Sequence, residues 1–278
     1  MAIVNVTPDS FSDGGRYLSV SGEVSAALAQ CELLVRQGAD LLDIGGESSR
    51  PGALPVPFEE ELSRVLPVVR HAVLLGVPIS VDTYKARVMQ AVLDLGVDII
   101  NDIWALRQAG AASVVAGHGK FGVCVMHMHG EPQTMQVAPM QGDVVPQIRA
   151  FLASATNRLQ ALGVDRHRIV LDAGVGFGKT IEQNFSLLAQ QAELLEAGFP
   201  MLAGWSRKSS LAASLNVLEG ISAPLAKDFL VPSVAAAVLA VERGARVVRV
   251  HDVRETVQAL RVWAAASPAV AVNQPVRG

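Results

Sequence analysis

Hydrophobic and polar positions recur along the chain in one repeated unit. In each unit a glycine ends a helix-like stretch, and within a few residues an apolar, β-branched run begins and stops at a polar residue. Glycine suits the left-handed position just past a helix end, and near-continuous apolar runs are typical of parallel strands buried on both faces. The unit occurs seven times, at Gly38, Gly76, Gly96, Gly119, Gly163, Gly198 and Gly244. Each occurrence predicts a helix followed by a strand.

The segments between these strands carry the 3.6-residue period of amphipathic helices. Apolar residues share one helical face in two of them: Val24, Leu28, Cys31 and Val35 in the first, and Leu62, Val65, Leu66, Val69 and Val73 in the second. Pro67 lies inside the second pattern, where we expect it to kink the helix or to mark its boundary.

The opening run Ile3-Val4-Asn5 brings the number of predicted strands to eight, alternating with helices. Right-handed crossovers close such a chain most simply into a (β/α)8 TIM barrel, an α/β fold that reaches this length as a single domain. We therefore predict one barrel over residues 1–266. A doubly wound open sheet is the alternative. Residues 267–278 lack periodicity, and we expect a flexible tail.

Composition narrows the classes of function. Half of the residues are apolar and 18% are charged, so the chain can bury a large core and shows little sign of disorder. A net charge of -3 with mixed signs argues against nucleic-acid binding. The sequence shows no signal peptide and no apolar run of membrane-spanning length. Cys31 and Cys124 lie far apart in apolar stretches, and we interpret both as reduced core residues. These features favour a cytoplasmic protein with small-molecule partners.

Polar residues at three predicted strand ends indicate a binding site. Asp82, Asn101 and Asp172 end the third, fourth and sixth strands. In a TIM barrel these ends build the active site. A single aspartate there is commonly only a helix cap. Three inward polar groups, however, each need a buried partner or a ligand. Because Asp accepts hydrogen bonds and Asn also donates them, the trio suits an aminopyrimidine edge.

Basic residues follow the last two strands. Lys208 comes after the seventh strand and Arg249 and His251 after the eighth, on the side where barrels often hold phosphate. The loops after the first two strands, residues 5–15 and 43–53, are long, polar and rich in glycine. The sequence therefore predicts a phosphorylated ligand.

Three patterns suggest other chemistry. His127 and His129 have the spacing of metal ligands, but no third ligand accompanies them, and we interpret them as structural. The run ending at Lys179 nearly matches a phosphate-binding loop, yet Ala173 stands where its first glycine is required, so we exclude nucleotide hydrolysis. Lys208 could form the Schiff base of an aldolase, although the neighbouring Arg207 favours a charged hydrogen-bonding role. Aldolase remains an alternative.

Seven motifs, in order, resemble those of dihydropteroate synthase over nearly the whole chain. They are Asn5 to Gly15, Asp43 to Ala53, Asp82-Thr83-Tyr84-Lys85, Asn101-Asp102-Ile103, Met126-His127-Met128, Ser206-Arg207-Lys208-Ser209 and Arg249-Val250-His251-Asp252. The resemblance implies transfer of a dihydropterin methyl group from its diphosphate ester to 4-aminobenzoate, which gives dihydropteroate. It also implies competition by sulfonamides and a homodimer.

The resemblance assigns roles by motif. Pterin would be held by Asp82, Asn101, Asp172 and Lys208, and diphosphate by Asn5, Arg249 and His251, with Asn5 acting through a Mg²⁺ ion. The 4-aminobenzoate site would be formed by Ser49, Arg50, Pro51, Phe177, Ser206 and Lys208. Catalytic roles would fall to Asp9, Arg50, Lys208, Arg249 and His251. The family's route, in which diphosphate leaves before the amine attacks, requires leaving-group stabilisation more than a strong base.

Two positions depart from the family pattern. Ala173 replaces a proline after the sixth strand, and Ser49 replaces a threonine in the second loop. We expect both to affect affinity for 4-aminobenzoate or sulfonamides more than catalysis. Two further alternatives are a paralogue that only binds pterin and a pterin-dependent methyltransferase. The intact loops argue against the first, and the basic pair Arg249 and His251 argues against the second.

Overall fold

Eight parallel strands form one sheet whose order follows the sequence. The computed structural model describes residues 1–7, 20–219 and 229–267. The strands are β1 (Ala2–Asn5), β2 (Leu42–Gly45), β3 (Ile79–Asp82), β4 (Ile99–Asp102), β5 (Gly122–Met126), β6 (Ile169–Asp172), β7 (Met201–Ala203) and β8 (Val247–Val248). Each pairs in parallel with the next.

The sheet closes between its last and first strands. Ile3 N donates to Val250 O at 3.0 Å, Val250 N donates to Met1 O at 3.0 Å, and Ala2 forms a parallel bridge with Val250. An open sheet would leave these edges unpaired. The predicted barrel is therefore confirmed, and the doubly wound alternative is wrong.

Helices cover the outside of the barrel. They are α1 (Val20–Arg36), α2 (Phe58–Ala72), α3 (Ala86–Leu93), α4 (Ala111–Gly117), α5 (Val144–Ala161), α6 (Ile181–Ala189), α7 (Gln191–Leu195), α8 (Ser209–Glu219), α9 (Leu230–Glu242) and α10 (Val253–Ala266). The expected apolar faces pack on the core, with Cys31, Val65 and Val69 fully buried. Helix α2 continues through Pro67, so the boundary expected there is absent. Burial of Val65 and Val69 on either side offsets the backbone hydrogen bond that proline removes.

The repeated glycines follow the predicted rule with one exception. Gly38, Gly76, Gly96, Gly163, Gly198 and Gly244 all have positive φ, between 72° and 98°. Gly119 does not, because α4 already ends at Gly117 and His118 continues in an extended conformation.

The cysteines, the helix lengths and the tail bear on the expectations drawn from composition. Cys31 and Cys124 are buried and free, as predicted. None of the described helices is long and apolar enough to cross a bilayer. The expected flexible tail, apart from Ser267, lies outside the described residues and stays a prediction.

Candidate active site

The strand register brings the predicted polar residues to one end of the barrel. Asn5 pairs with Gly45, Gly45 with Asp82, and Asp82 with Asn101. Asp172 ends β6 beside Met126 of β5. Because parallel strands share their direction, these residues lie at the carboxyl ends of the strands, where TIM-barrel active sites form. The convergence predicted for Asp82, Asn101 and Asp172 is confirmed.

An arginine between two carboxylates lies at the centre of this site. Arg249 follows β8, and its Nε donates to Asp43 Oδ2 at 2.6 Å while its Nη2 donates to Asp82 Oδ2 at 2.8 Å. Burial disfavours the charge, but Asp43 and Asp82 outweigh this and hold the pKa of Arg249 above its ordinary value. The guanidinium therefore remains a permanent cation beside the carboxylates of Asp43 and Asp82.

Asp43 is a site residue that the motif analysis did not single out. Its side chain is fully buried, and Oδ2 also accepts a hydrogen bond from Asn101 Nδ2 at 3.1 Å. Among the described residues, Oδ1 has no hydrogen-bond partner. The sequence feature that could have identified Asp43 is a lone charged residue in the apolar run of β2, because a buried charge needs a partner.

The carboxyl groups of Asp82 and Asp172 are perturbed by burial. Burial raises the pKa of Asp82 to about 7, although Arg249 opposes the shift. Burial also raises the pKa of Asp172, whose Oδ1 accepts from Gly174 N at 2.7 Å. Both groups are thus placed in a dry environment where an N–H donor of a ligand would bind strongly.

Lys208 lies between the acidic residues and an aromatic ring. Its Nζ is 4.1 Å from the centroid of the Phe177 ring. Burial lowers the pKa of Lys208 to about 8, against the opposing charge of Asp172. The preceding residue Arg207 has a φ of 57°, a left-handed conformation held by a hydrogen bond from Arg207 N to Ser233 Oγ at 2.9 Å. That turn fixes the backbone that carries Lys208.

His251 and Ser206 form a hydrogen-bonded pair. Ser206 Oγ lies 2.9 Å from His251 Nδ1 and accepts the backbone N–H of His251 at 3.1 Å. When the hydroxyl group donates to Nδ1, the proton of the neutral ring lies on Nε2. Burial lowers the pKa of His251 to about 3, and Arg207 and Arg249 add to the effect. The ring is a neutral hydrogen-bond donor and a weak base.

Apolar side chains line one side of the same end of the barrel. They form a buried cluster with two half-buried aromatic residues packed on it: Ile103, Met126, Met128, Met135 and Phe177, with Tyr84 and Trp104. Methionine and aromatic side chains offer a polarizable surface for a flat ring. The site therefore combines an acidic edge, an apolar wall and a cationic group.

The loop after β2 brings a further cation to the site. Ser49 is half-buried, whereas Arg50 and Pro51 are exposed. The charge of Arg50 is among the causes that lower the pKa of His251, so this loop lies on the His251 side. Asp9, in the loop after β1, falls outside the described residues, and its catalytic role stays a prediction.

Lys179 organises the loop that contains Phe177. The side chain is buried, and Nζ donates to Gly174 O at 2.8 Å, Phe177 O at 3.1 Å and His127 O at 3.4 Å. Burial lowers its pKa to about 7. In sequence, this lysine ends a run that nearly matches a phosphate-binding loop. Its hydrogen bonds to three backbone carbonyl groups instead restrain the loop beside Ala173, where the proline usual in the family is absent.

His127 is a core residue. Its ring packs edge-on against Phe151 with 4.9 Å between centroids, and within the part of the chain that the structure describes Nδ1 has no hydrogen-bond partner. Burial lowers its pKa to about 3, with Lys179 as the next cause. This environment agrees with the structural role predicted for His127.

Known proteins similar to this chain belong to one family of pterin-binding enzymes. The family described as "Pterin binding enzyme" matches residues 1–251. Dihydropteroate synthase of Neisseria meningitidis serogroup B is 46% identical, over 95% of this chain and 91% of the relative. The Xanthomonas albilineans enzyme, solved with 4-aminobenzoic acid, is 47% identical with a TM-score of 0.85, over 95% of this chain and 91% of that one.

Two further solved relatives carry other ligands. The Burkholderia cenocepacia dihydropteroate synthase, complexed with 7,8-dihydropteroate, is 48% identical with a TM-score of 0.83, over 96% of this chain and 91% of that one. The Yersinia pestis enzyme, solved as a sulfonamide drug complex, is 42% identical with a TM-score of 0.86, over 95% of this chain and 92% of that one. Sequence identity at this level to dihydropteroate synthases, over nearly the full chain, argues against the aldolase alternative. The chain belongs to the pterin-binding enzymes and, among them, to the dihydropteroate synthase family.

Proposed function

We propose that this chain condenses 6-hydroxymethyl-7,8-dihydropterin diphosphate with 4-aminobenzoate to give 7,8-dihydropteroate and diphosphate. The observation that carries the proposal is the position of Arg249, which bonds Asp43 and Asp82 on the acidic side. The same residue belongs to the basic group that includes His251 and Lys208. One site thus joins an acidic edge for an aminopyrimidine to cations for a diphosphate.

The acidic side would bind the pterin. Asp82 and Asp172 accept hydrogen bonds from ring and amino N–H groups, and Asn101 both donates and accepts. The cluster around Phe177 and Met126 would pack on the ring face. Because these carboxyl groups are buried, each hydrogen bond to the ligand forms in a low-dielectric environment and contributes more than it would in water.

The basic side would stabilise the leaving group. Arg249 offers charge to the diphosphate oxygens, and the Nε2–H of His251 donates a hydrogen bond, as the charge develops during cleavage of the C–O bond. The electron pair of that bond leaves with diphosphate. The amine nitrogen of 4-aminobenzoate then bonds to the pterin methylene carbon and loses a proton to solvent. A weakly basic His251 is sufficient, since the step needs no strong base.

The 4-aminobenzoate site would lie between Phe177, Lys208 and the loop that carries Ser49, Arg50 and Pro51. Lys208, 4.1 Å from the Phe177 ring, lies at the border of the pterin and aminobenzoate sites. Ser206 would act there as well, although its hydroxyl group is bonded to His251. The complexes of relatives with 4-aminobenzoic acid and with a sulfonamide drug support binding of both kinds of compound by this chain. We expect sulfonamides to compete with 4-aminobenzoate.

A Mg²⁺ ion would be bound by Asn5 together with the substrate. Among the described residues no group of three or more His, Cys, Asp or Glu side chains could hold a metal ion. The Asn5 side chain, at the end of β1, supplies one hard oxygen ligand, and Mg²⁺ commonly takes the rest from phosphates and water. When bound, the ion would offset charge on the departing oxygens.

Surface and cysteine chemistry support a homodimer and a cytoplasmic location. Val231 on α9 and Val262 on α10 are 75% and 71% exposed. Helices α9 and α10 pack on each other, and an exposed apolar side chain on each of them supports a homodimer. The free state of Cys31 and Cys124 supports a reducing compartment, the cytoplasm.

A direct assay tests the proposal. Purified protein, Mg²⁺ and dihydropterin diphosphate would be incubated with and without 4-aminobenzoate, while diphosphate release and dihydropteroate are followed. We expect dihydropteroate only when both substrates are present. Pterin binding without any product would contradict the proposal and support the binding-only paralogue, with Ser49 and Ala173 as the first positions to revert.

A further inference from the structure

A partly buried charged cluster lies beside the site, outside the residues assigned to substrates. Lys85, in the loop after β3, pairs with Glu47 after β2 and with Glu61 in α2. The three side chains are only 16%, 12% and 1% exposed, respectively. Two carboxylates thus share one ammonium group in a largely dry environment. Such an arrangement costs desolvation energy, and removal of its cation leaves uncompensated charge.

Glu47 accepts two further hydrogen bonds besides its pair with Lys85. Its Oε2 accepts the backbone N–H of Val56 at 2.9 Å, and its Oε1 accepts the hydroxyl group of Tyr84 at 2.7 Å. A side chain at the start of the loop after β2 is therefore bonded to the far end of that loop and to the loop after β3. Both ends of segment 48–55, which contains Ser49, Arg50 and Pro51, are held by one carboxylate.

The start of this loop is also packed against α2. Arg64 Nη1 donates to Gly46 O at 2.8 Å. A Cβ atom at Gly46 would lie 2.6 Å from Val65 Cγ2 and 3.1 Å from Glu61 O, so only glycine permits this approach. Gly52 N, at the middle of the loop, donates to Pro132 O at 3.1 Å.

We propose that Lys85 and Glu47 are positioning residues that set the place of segment 48–55, and thereby the affinity for 4-aminobenzoate. The inference rests on the proposed function of this loop. Lys85 neutralises Glu47 so that its carboxylate can stay buried while it accepts from Val56 and Tyr84. Apart from their own pair, the described side-chain hydrogen bonds and ion pairs of Lys85 and Glu47 go to Val56, Tyr84 and Glu61, and not to Asp82, Asn101 or Asp172. Tyr84 also packs on the cluster that contains Phe177, but its hydroxyl group is bonded to Glu47. Loss of the charged cluster acts on the second substrate and leaves the first unchanged.

Steady-state kinetics of Lys85→Met tests the inference. We expect the KM for 4-aminobenzoate to rise roughly tenfold or more, since a hydrogen-bonded charge pair is lost. We expect kcat to change less, and the Kd for dihydropterin diphosphate alone, measured by calorimetry, to stay at the wild-type value. Glu47→Gln should act in the same direction, and Lys85→Arg should restore most of the affinity.

A matched control lies two residues further along the chain from Lys85. Arg87 in α3 pairs with Glu59 in α2 at 3.8 Å, but both side chains are exposed, at 73% and 76%. Arg87→Met removes the same charge from a solvated pair, so its KM values should equal those of the wild type. Tyr84→Phe removes only the hydroxyl bond to Glu47, and should raise the KM for 4-aminobenzoate by a smaller factor. It replaces Lys85→Met if that variant does not fold.

The outcomes separate this inference from the proposed function. A wild-type protein that forms no dihydropteroate contradicts the function itself. An active wild type with Lys85→Met or Tyr84→Phe values equal to those of Arg87→Met overturns the positioning role. Equal losses of affinity for both substrates would also overturn it, because they would show a general effect on the fold.

Discussion

Arg249 Nη2 lies 2.8 Å from Asp82 Oδ2, so the cation expected to bind diphosphate is hydrogen-bonded to a carboxylate expected to bind pterin. The two residues are 167 positions apart in the chain. The pair orders the free site, because each group satisfies the other until substrate arrives. When the substrate binds between Arg249 and Asp82, it must therefore supply each of them with a new hydrogen-bond partner.

Replacement of Arg249 should weaken binding of the diphosphate ester. We expect Arg249→Ala to lower kcat/KM for dihydropterin diphosphate by about 10- to 100-fold, since a charge-assisted contact is worth about 1.5–3 kcal/mol. The exposed Arg254→Ala on α10 is the control, with unchanged kinetics. Unaltered kinetics in Arg249→Ala would contradict the assignment.

Arg249→Ala should also destabilise the fold, because Asp43 loses its cation while fully buried. The double variant Asp43→Asn/Arg249→Ala removes that charge. We expect urea unfolding to show recovered stability in the double variant, while binding of the diphosphate ester stays weak. Recovery of both properties together would show that Arg249 acts only through the fold.

Ser206 should act mainly through His251. Ser206→Ala removes the hydroxyl group that bonds Nδ1, and we expect roughly tenfold weaker binding of dihydropterin diphosphate. Ser206→Thr keeps the hydroxyl group and should retain affinity. If Ser206→Ala raises only the KM for 4-aminobenzoate, the role implied by the family resemblance holds and the role through His251 does not.

Gly174 should tolerate no side chain. Its φ is +68°, and a Cβ atom would lie 1.8 Å from His127 O. Gly76 has a φ of +74° with nothing within 4 Å, so Gly76→Ala measures backbone strain alone, about 1–2 kcal/mol. We expect Gly174→Ala to lose at least about 2 kcal/mol more in urea unfolding. Equal losses would show that the loop moves away freely.

His127 should make stability depend on acid pH. Burial lowers its folded pKa from 6.5 to about 3, so the unfolded chain takes up the proton first as the pH falls below 6.5. Stability is therefore lost between about pH 6.5 and 3, by up to about 1.4 kcal/mol per pH unit. His127→Leu should show a smaller slope in this window, whereas the exposed His167→Leu should keep the wild-type slope. Identical slopes in all three proteins would refute the assignment.

The sequence by itself determined the barrel and the end of it that holds the site. A glycine after each helix and an apolar run ending in a polar residue are local signals, since they depend on φ preference and on burial of both strand faces. They predicted the strand order and the convergence of Asp82, Asn101 and Asp172. A helix boundary at Pro67 and a helix-ending role for Gly119 were wrong, because packing of α2 and the early end of α4 override local preference.

Only the tertiary structure decided which polar groups pair. Asp43 and Arg249 are 206 positions apart, and Ser206 and His251 are 45 apart, so no local pattern connects them. Lys179 resembled a phosphate ligand in sequence, yet it lies among three carbonyl groups. Such partners are set when the barrel closes, because burial then forces each charged group to bond whichever group lies beside it.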